Sequence, residues 1–381
     1  MNKVEELLQI MGNDVVEKID LGDICRIRTG KLNANAKDED GIYPFFTCDA
    51  NPYRINEYAF DTSAILISGN GSQVGHLNKY DGKFNAYQRT YVLDDFKGIE
   101  RDYLFHFMGA YLKPYIMVNC KKGSVPYITL PMLQNFKVPV PPLEVQREIV
   151  RVLDSFTFLT AELTAELTAR KKQYEYYKDR MLMDAADAQL VKLSDIATVI
   201  RGGNFQKKDF VEEGKPCIHY GQMYTHFGIT ADNVLTFVND AVFAKSKIAT
   251  KGDIVMAVTS ENVEDVCSCT AWLGDEDIAV SGHTAIIKHN QNAKFMSYYF
   301  HSSMFFEQKK KLAHGTKVIE VTPSKLLDIE MLLPSIEEQE RIVTVLDKFY
   351  ALCNDITEGI PAEIDARNKQ YDYYRNKLFE F

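Results

Sequence analysis

The sequence predicts an α+β protein in which two globular mixed α/β domains are held apart by two long helices. The helices are expected to pack as an antiparallel coiled coil, and the two halves to be related by a pseudo-twofold internal repeat. Three observations predict this fold: two copies of one helical block, a heptad seam along each copy, and short β-rich runs ahead of each copy. At about 150 residues per domain, a chain of this length holds two or three domains.

The internal repeat is the strongest signal in the chain. Two similar blocks each follow a block whose sequence has diverged, which indicates one structural plan used twice. The matching segments are PPLEVQREIVRVLD (141–154) with PSIEEQERIVTVLD (334–347), ARKKQYEYYKDRML (169–182) with ARNKQYDYYRNKLF (366–379) and, more weakly, LGDICRIRTG (21–30) with LSDIATVIRG (193–202).

Both similar blocks carry a coiled-coil seam. Alternating steps of four and three residues from Ile149 give a largely apolar stripe, and a second stripe starts at Ile342. Four extra residues interrupt the second stripe near Gly359-Ile360-Pro361, which predicts a kinked or restarted helix there. A seam of this length favours pairing of the two helices. The alternative is that each helix packs on its own domain as an ordinary core element.

Short β-rich runs and aromatic segments of helical length place one mixed α/β domain ahead of each helical block. The runs are AILIS (64–68), IVMAV (254–258) and TAII (284–287), and the aromatic segments are 103–112 and 295–306. We predict a first domain over residues 1–142 with an N-terminal helix over 1–18, a central spacer helix over 143–183, a second domain over 184–334, and a distal C-terminal helix over 335–381.

Composition excludes several classes of protein. The net charge of −9, from 44 basic and 53 acidic residues, argues against a chain that wraps nucleic acid by itself. No apolar run reaches the roughly 18 residues of a membrane span. The acidic start does not have the features of a signal peptide, and we interpret the seven cysteines as reduced thiols in the cytoplasm.

The repeated motifs resemble those of the specificity subunit of type I restriction–modification systems. The resemblance rests on the two QxxIVxxLD helix starts, the two RxKQYxYY helix ends and the tandem TAEL at Thr160–Leu163 and Thr164–Leu167. The tandem is similar to the repeat in the central helix of the type IC branch. One TAEL unit advances a helix by about 6 Å, which is comparable with one or two base pairs of DNA.

The resemblance implies a division of labour between subunits. Each domain would be a target recognition domain that reads one half of a split double-stranded DNA site, and the helices would set the spacer between the halves. The chain itself would be non-catalytic, without a cofactor or metal, and present once per complex. It would scaffold two methyltransferase subunits that use S-adenosylmethionine and two motor-endonuclease subunits that use ATP and magnesium.

Two alternative functions remain to be weighed. Asn51-Pro52-Tyr53 resembles the Asn-Pro-Pro-Tyr motif of adenine methyltransferases with one proline missing, and Ala64–Gly71 resembles a cofactor-binding glycine turn. The equivalent stretch of the second half, Asp253–Asp265, contains no glycine, which argues against an active site. The other alternative is a non-catalytic protein scaffold without DNA specificity.

Candidate DNA-binding residues are polar side chains near glycines in the diverged blocks, since such side chains can approach base edges and phosphates. We also expect Gln88-Arg89-Thr90 and Gly282-His283-Thr284 to occupy equivalent positions, and likewise residues 121–124 and 314–317. The candidates are Lys31, Asn33, Asn35, Asn70, Ser72, Gln88, Arg89, Lys121, Lys122 and Ser124 in the first domain, and Arg201, Asn204, Gln206, Lys207, Lys208, Gln222, Asn262, His283, His314, Thr316 and Lys317 in the second.

Candidate partner-binding residues lie on the helices. Arg170 and Arg367 interrupt the apolar seam, either to pair with acids across the helices or to reach a partner. Tyr176 and Tyr373 point away from the seam, and exposed aromatic side chains are typical of docking surfaces. We predict that these four residues contribute to binding of the methyltransferase subunits.

Overall fold

The computed structural model describes residues 16–120 and 126–380. The chain forms two compact units, the first made of Met1–Thr164 with Glu363–Phe381 and the second of Ala165–Ala362. Most of the helix predicted over residues 1–18 lies outside the described residues. Its predicted end is wrong, because Lys18 begins a strand that pairs with residues 137–139.

The first unit is built around one six-stranded sheet. Its central strand, Phe60–Ser68, is buried on both faces: Ile65 and Ile67 face the helix Arg101–Asn119, while Ala64 and Leu66 face a second apolar cluster. The strands of this sheet lie in the order Arg26–Thr29, Thr90–Asp94, Phe60–Ser68, Leu77–Ala86, Tyr43–Phe46 and Tyr53–Ile55. A separate two-stranded sheet pairs Lys18–Asp20 with Lys137–Pro139. The short helices of the unit are Leu21–Ile24, Ala34–Ala36 and Leu130–Gln134.

The second unit contains two five-stranded sheets. One has the order Ala197–Arg201, Thr284–His289, Ile254–Ala257, Cys269–Trp272 and Thr230–Ala231; the other has Phe210–Val211, Thr236–Val238, Lys215–Ile218, Ile278–Val280 and Lys247–Ala249. Two further strand pairs join Thr259–Ser260 to Ile319–Glu320 and Gln189–Lys192 to Glu330–Leu333. The shorter helices of this unit are Leu193–Ile196, Lys207–Asp209, Gln222–Thr225, Asp240–Phe243, Ala293–Phe300, Ser303–Leu312 and Pro323–Asp328.

The repeat extends through the diverged blocks, because four strands recur in the same order. Arg26–Thr29, Thr90–Asp94, Phe60–Ser68 and Leu77–Ala86 correspond to Ala197–Arg201, Thr284–His289, Ile254–Ala257 and Cys269–Trp272. The three predicted β-rich runs form strands, apart from Val258, which follows one. The predicted aromatic segment 295–306 is split into two helices, because Ser302 caps the second by accepting a hydrogen bond from Phe305 N–H.

The long helices have the predicted continuity and break. The first runs unbroken over Leu143–Met183, whereas the second stretch ends at Asn354 and restarts at Ile360. The restart confirms the effect expected of the four extra residues with Pro361. Ile356 is an exception to the predicted seam: it lies in the break and is 81% exposed.

Helix pairing and packing on the domain core occur together. In the second unit, Tyr174 packs against Tyr350 and Tyr177 against Phe349, so sequence order runs in opposite directions along the two helices. In the first unit, Phe156 stacks on Tyr374 of the last helix. Helix residues also belong to the core of their own unit: Ile149 and Leu153 in the first, and Ile342 and Leu346 in the second.

A fully buried glutamine fixes the start of each long helix. The amide oxygen of Gln339 accepts a hydrogen bond from Asn292 N–H (3.0 Å), and its nitrogen donates to the Pro334 carbonyl (2.9 Å). Gln146 makes the same two contacts, with Glu100 N–H (2.8 Å) and the Pro141 carbonyl (2.7 Å). Each helix start is therefore bonded to the beginning of an aromatic-rich helix of its own unit.

Replacing Gln339 by alanine tests this fixation. The Asn292 N–H and the Pro334 carbonyl would lose their partner, so we expect the free energy of unfolding of the second unit to fall by about 2 kcal/mol. Urea denaturation of the full chain measures the change. Gln173→Ala, which removes an exposed helix glutamine bonded to Arg170, is the matched control and should cost less than about 0.5 kcal/mol. Equal denaturation midpoints for the two variants would contradict the assignment.

Candidate nucleic-acid interface

In the first unit, a tight turn stands at one end of the main sheet. Thr90 N–H donates to the Tyr87 carbonyl (2.8 Å), which closes the turn, and Gly69 N–H donates to the Arg89 carbonyl (2.9 Å). The Gly69 carbonyl accepts from Ile128 N–H (2.8 Å). A side chain at Gly69 would place its Cβ 2.2 Å from the Arg89 oxygen, so glycine is needed for this close approach.

The turn borders a cavity of about 310 Å³. Gln88 and Arg89 lie on its rim, and Tyr91 contributes a ring whose hydroxyl donates to the Ile128 carbonyl (3.0 Å). Burial raises the pKa of Tyr91, which keeps the phenol protonated as a donor. Gly69 and Ile128 also line it, so none of the lining residues in the described part of the chain is acidic.

The structure brings several first-domain candidates together. Gln88 Nε2 donates to Asn33 Oδ1 (2.9 Å), and Gln88 N–H donates to the Leu32 carbonyl, which places residue 31 beside the same turn. Asn70 forms a β-bridge with Tyr127 next to Gly69. Ser72 is exposed on the glycine turn, and Asn35 is exposed on the short helix at 34–36. Lys121, Lys122 and Ser124 lie outside the described residues.

The second unit repeats the turn with different side chains. Val258 N–H donates to the His283 carbonyl (2.9 Å), and the Val258 carbonyl accepts from Val321 N–H (2.9 Å). Thr284 N–H closes the turn on the Ser281 carbonyl (3.1 Å). Val258, His283 and Val321 thus take the places of Gly69, Arg89 and Ile128, and the predicted equivalence of the two turns holds.

A cavity of about 410 Å³ lies beside the second turn. The His283 ring packs 5.0 Å from the Tyr220 ring, and its Nδ1 lies 3.2 Å from Thr259 Oγ1. Tyr224 donates its hydroxyl to the Thr259 carbonyl (2.5 Å), and burial raises the pKa of this phenol. The lining residues are Tyr220, Tyr224, Thr259, Ser260, Glu261, Asn262, Asp265, His283 and Val318. This cavity combines aromatic rings with carboxylates, unlike that of the first unit.

Some second-domain candidates converge on this cavity. Asn262 and His283 line it, and Arg201 Nε donates to the Gly282 carbonyl (3.2 Å). Arg201 also pairs with Glu320 (3.1 Å), whose backbone forms a bridge with His314. Asn204 lies beside Gly282, since a Cβ at Gly282 would stand 3.3 Å from Asn204 Oδ1.

Other candidates lie apart from the cavity. Gln222 donates its amide to Thr236 Oγ1 (3.3 Å). The remaining second-domain candidates are exposed, on the short helix that follows Gln206 or in the loop after His314: Gln206, Lys207, Lys208, Thr316 and Lys317.

The tyrosine rings that line the second cavity were not predicted from the sequence. Tyr220 and Tyr224 are four residues apart, so they reach the same side of a helical turn, and this spacing is the one signal that could have indicated them. It was not recognised because the segment around them has no counterpart in the first half. Glu261 and Asp265 also line this cavity and are not among the predicted residues, which are uncharged or basic.

The helix candidates have equivalent surroundings in the two copies. Arg170 pairs with Glu166 and contacts Gln173, while Arg367 pairs with Glu363 and contacts Gln370. Both arginines therefore pair with a glutamate of their own helix. The described residues show no ion pair from either arginine to an acid of the other helix, which was one of the two predicted roles. Tyr176 and Tyr373 are 60% and 59% exposed, and each ring packs edge-on against the next tyrosine.

The family model described as type I restriction modification DNA specificity domain matches this chain twice, over residues 13–170 and 186–366. The chain belongs to this family. The specificity subunit of the EcoR124I/EcoR124II type I restriction enzyme from Escherichia coli is 30% identical, with 100% of this chain and 98% of that protein covered. The specificity subunit of the E. coli EcoDI enzyme is 37% identical over 46% of this chain and 38% of its own length.

Solved structures show the same fold. The S subunit of a type I restriction–modification system from M. genitalium superposes with a TM-score of 0.56 at 14% identity, covering 97% of both chains. A chain from a study of complex assembly and conformational transition of the type I R-M system reaches a TM-score of 0.60 at 16% identity, covering 95% of this chain and 97% of that one.

The glycine turn that resembles a cofactor-binding motif has a structural role in this specificity subunit. Gly69 serves the close approach to Arg89, and Val258 makes the corresponding backbone contacts in the second unit. Across residues 16–120 and 126–380, no group of three or more His, Cys, Asp or Glu side chains could hold a metal ion. No helix in the same residues is long and apolar enough to cross a membrane.

Proposed function

We propose that the two units of this specificity subunit read the two halves of a split double-stranded DNA site. One observation carries the proposal: an equivalent turn and cavity is built at the same place in both sheets, with Arg89 and Gln88 in one and His283 and Asn262 in the other. Recognition of two different short sequences requires different side chains, and here they are presented on an equivalent backbone frame. The domain limits predicted above, 1–142 and 184–334, are part of this proposal, as are the candidate DNA-binding residues.

The long helices would set the distance between the two half-sites. The limit between the compact units falls between Thr164 and Ala165, inside the tandem TAEL. Leu163 and Leu167 are half-buried, whereas Glu162 and Glu166 are exposed. A change in the number of TAEL units would therefore alter the helix between the units without removing the central strand of either sheet.

The chain would act without chemistry of its own, as one copy within a larger cytoplasmic complex. Two methyltransferase subunits would bring S-adenosylmethionine, and motor-endonuclease subunits would bring ATP and magnesium. Exposed tyrosines at the same position of both helix copies, Tyr176 and Tyr373, fit two equivalent docking surfaces for two copies of one partner. Arg170 and Arg367 lie two helical turns or less from these tyrosines and are proposed to contribute to the same surfaces.

Methylation mapping tests the proposed function. The chain is co-expressed with its cognate methyltransferase subunit in a host without DNA methylation, and modified adenines are read by single-molecule sequencing. We expect two short half-sites separated by a fixed spacer, because the two reading surfaces belong to different units. A contiguous motif, or no methylation from a complex shown to form, would contradict the proposal.

Deletion of Thr164–Leu167 tests the role of the helices. The deletion shortens the helix by about 6 Å and turns it about 40° beyond a full revolution, while B-DNA rises about 3.4 Å per base pair. We expect a spacer shorter by one or two base pairs with both half-sites unchanged, measured by the same mapping. The double variant Glu162→Ala, Glu166→Ala keeps the helix length and should keep the spacer. An unchanged spacer after the deletion would refute the ruler.

The Tyr176→Ala, Tyr373→Ala double variant tests the docking surfaces. Loss of an aromatic anchor at an interface costs about 2 kcal/mol, so each substitution should weaken association with the methyltransferase about 30-fold. Size-exclusion chromatography of the co-expressed subunits measures the complex. Tyr58→Ala removes an exposed tyrosine (46%) that lies outside the long helices and should leave the complex intact. A double variant that assembles like the unmodified chain would exclude these tyrosines as anchors.

A further inference from the structure

The turn that carries Arg89 has a fixed backbone and an exposed guanidinium that is available to bind a ligand. Three backbone hydrogen bonds fix the turn: Thr90 N–H to the Tyr87 carbonyl, Gly69 N–H to the Arg89 carbonyl, and Gln88 N–H to the Leu32 carbonyl. The Arg89 side chain is exposed, and no hydrogen bond or ion pair joins its guanidinium to any residue within 16–120 or 126–380. A rigid backbone thus presents a guanidinium whose donors are unused there.

The surroundings of Arg89 favour a ligand that offers two acceptors. Among residues 16–120 and 126–380, no carboxylate lines the adjoining cavity, so none of these residues competes there for the guanidinium. Gln88 donates through Nε2 to Asn33 Oδ1 (2.9 Å), which fixes its amide next to the arginine. The planar fork of arginine matches the O6 and N7 acceptors of guanine in the major groove.

The second unit has different chemistry at the same position. His283 takes the place of Arg89, but its Nδ1 is engaged with Thr259 Oγ1, and the carboxylates of Glu261 and Asp265 line the cavity beside it. A guanidinium there would meet acids, whereas the carboxylates can accept from the amino group of cytosine. The contrast makes Arg89 a feature of one half of the chain and not of the shared frame.

We propose that Arg89 determines specificity by reading a guanine in the half-site bound by the first unit. The proposal rests on the proposed function, because it assigns a base to one of the two half-sites. A phosphate contact is the other use of an exposed arginine, and it carries no sequence information. The two uses differ in their effect on the recognised motif, which makes them separable.

The experiment maps the methylation motif of the complex for the unmodified chain and for three variants. Arg89→Ala should accept any base at one former guanine, with discrimination reduced about 5- to 150-fold. Arg89→Gln should shift that position toward adenine, because glutamine pairs with adenine N6 and N7. His283→Gln, the same replacement at the equivalent turn, is the matched control: it should leave the half-site altered by Arg89→Ala unchanged.

Each outcome decides the proposal. Relaxation confined to one guanine supports it, and an intact second half-site shows that the variant is folded. Uniformly weaker methylation with an unchanged motif overturns it in favour of a phosphate contact. The proposal is also overturned if both Arg89 variants give the same motif and the same methylation level as the unmodified chain. It is overturned as well if Arg89→Ala and His283→Gln change the same half-site. A split motif from the unmodified chain upholds the proposed function in all these cases, so the two failures are distinguishable.

Discussion

The architecture depends on one buried amide used twice. Gln146 and Gln339 are fully buried at the start of the long helices, where each bonds the backbone of another helix start in its unit. A second contact follows two turns later: Asp154 lies 2.8 Å from His106 Nε2, and Asp347 accepts from the Tyr298 hydroxyl (2.7 Å). Two contacts on one face fix both the position and the rotation of a helix, so each diverged domain sits in a defined register on a repeated element.

Because each domain is held in a fixed register, the side chains at the proposed reading surfaces can differ while the backbone frame stays the same. Backbone hydrogen bonds join the turns that carry Arg89 and His283 to the neighbouring strands, and backbone groups are the same for every residue type. Arg89 and His283 are exposed on these turns, so replacing them leaves the buried residues of the two sheets unchanged. One sheet-end frame can therefore present a guanidinium in one unit and an imidazole among carboxylates in the other.

The sequence predicted the parts of the structure that repeat or follow a period. The two-copy pattern and the heptad seam were sufficient for the long unbroken helix, the restart at Ile360 and the equivalence of the two turns. Prediction failed where local context overrides a period: Ile356 fits the seam by spacing, but the helix break leaves it in solvent. Prediction also failed for Tyr220 and Tyr224, which line the second cavity. The segment that carries them has no counterpart in the first half, so neither the repeat nor the heptad period indicates them.

The acidic charge of the chain is consistent with a role in specificity. Affinity for DNA comes mainly from neutralised phosphates, whereas specificity comes from contacts with base edges. A net charge of −9 does not favour affinity for phosphates. Glu261, which lines the proposed reading surface of the second unit, would oppose phosphate binding further. The same acids cost little if the partner subunits supply the basic contacts, and they widen the range of bases that a side chain can distinguish. Separating affinity from specificity in this way would allow one half of the chain to use arginine and the other to use carboxylates, as proposed above.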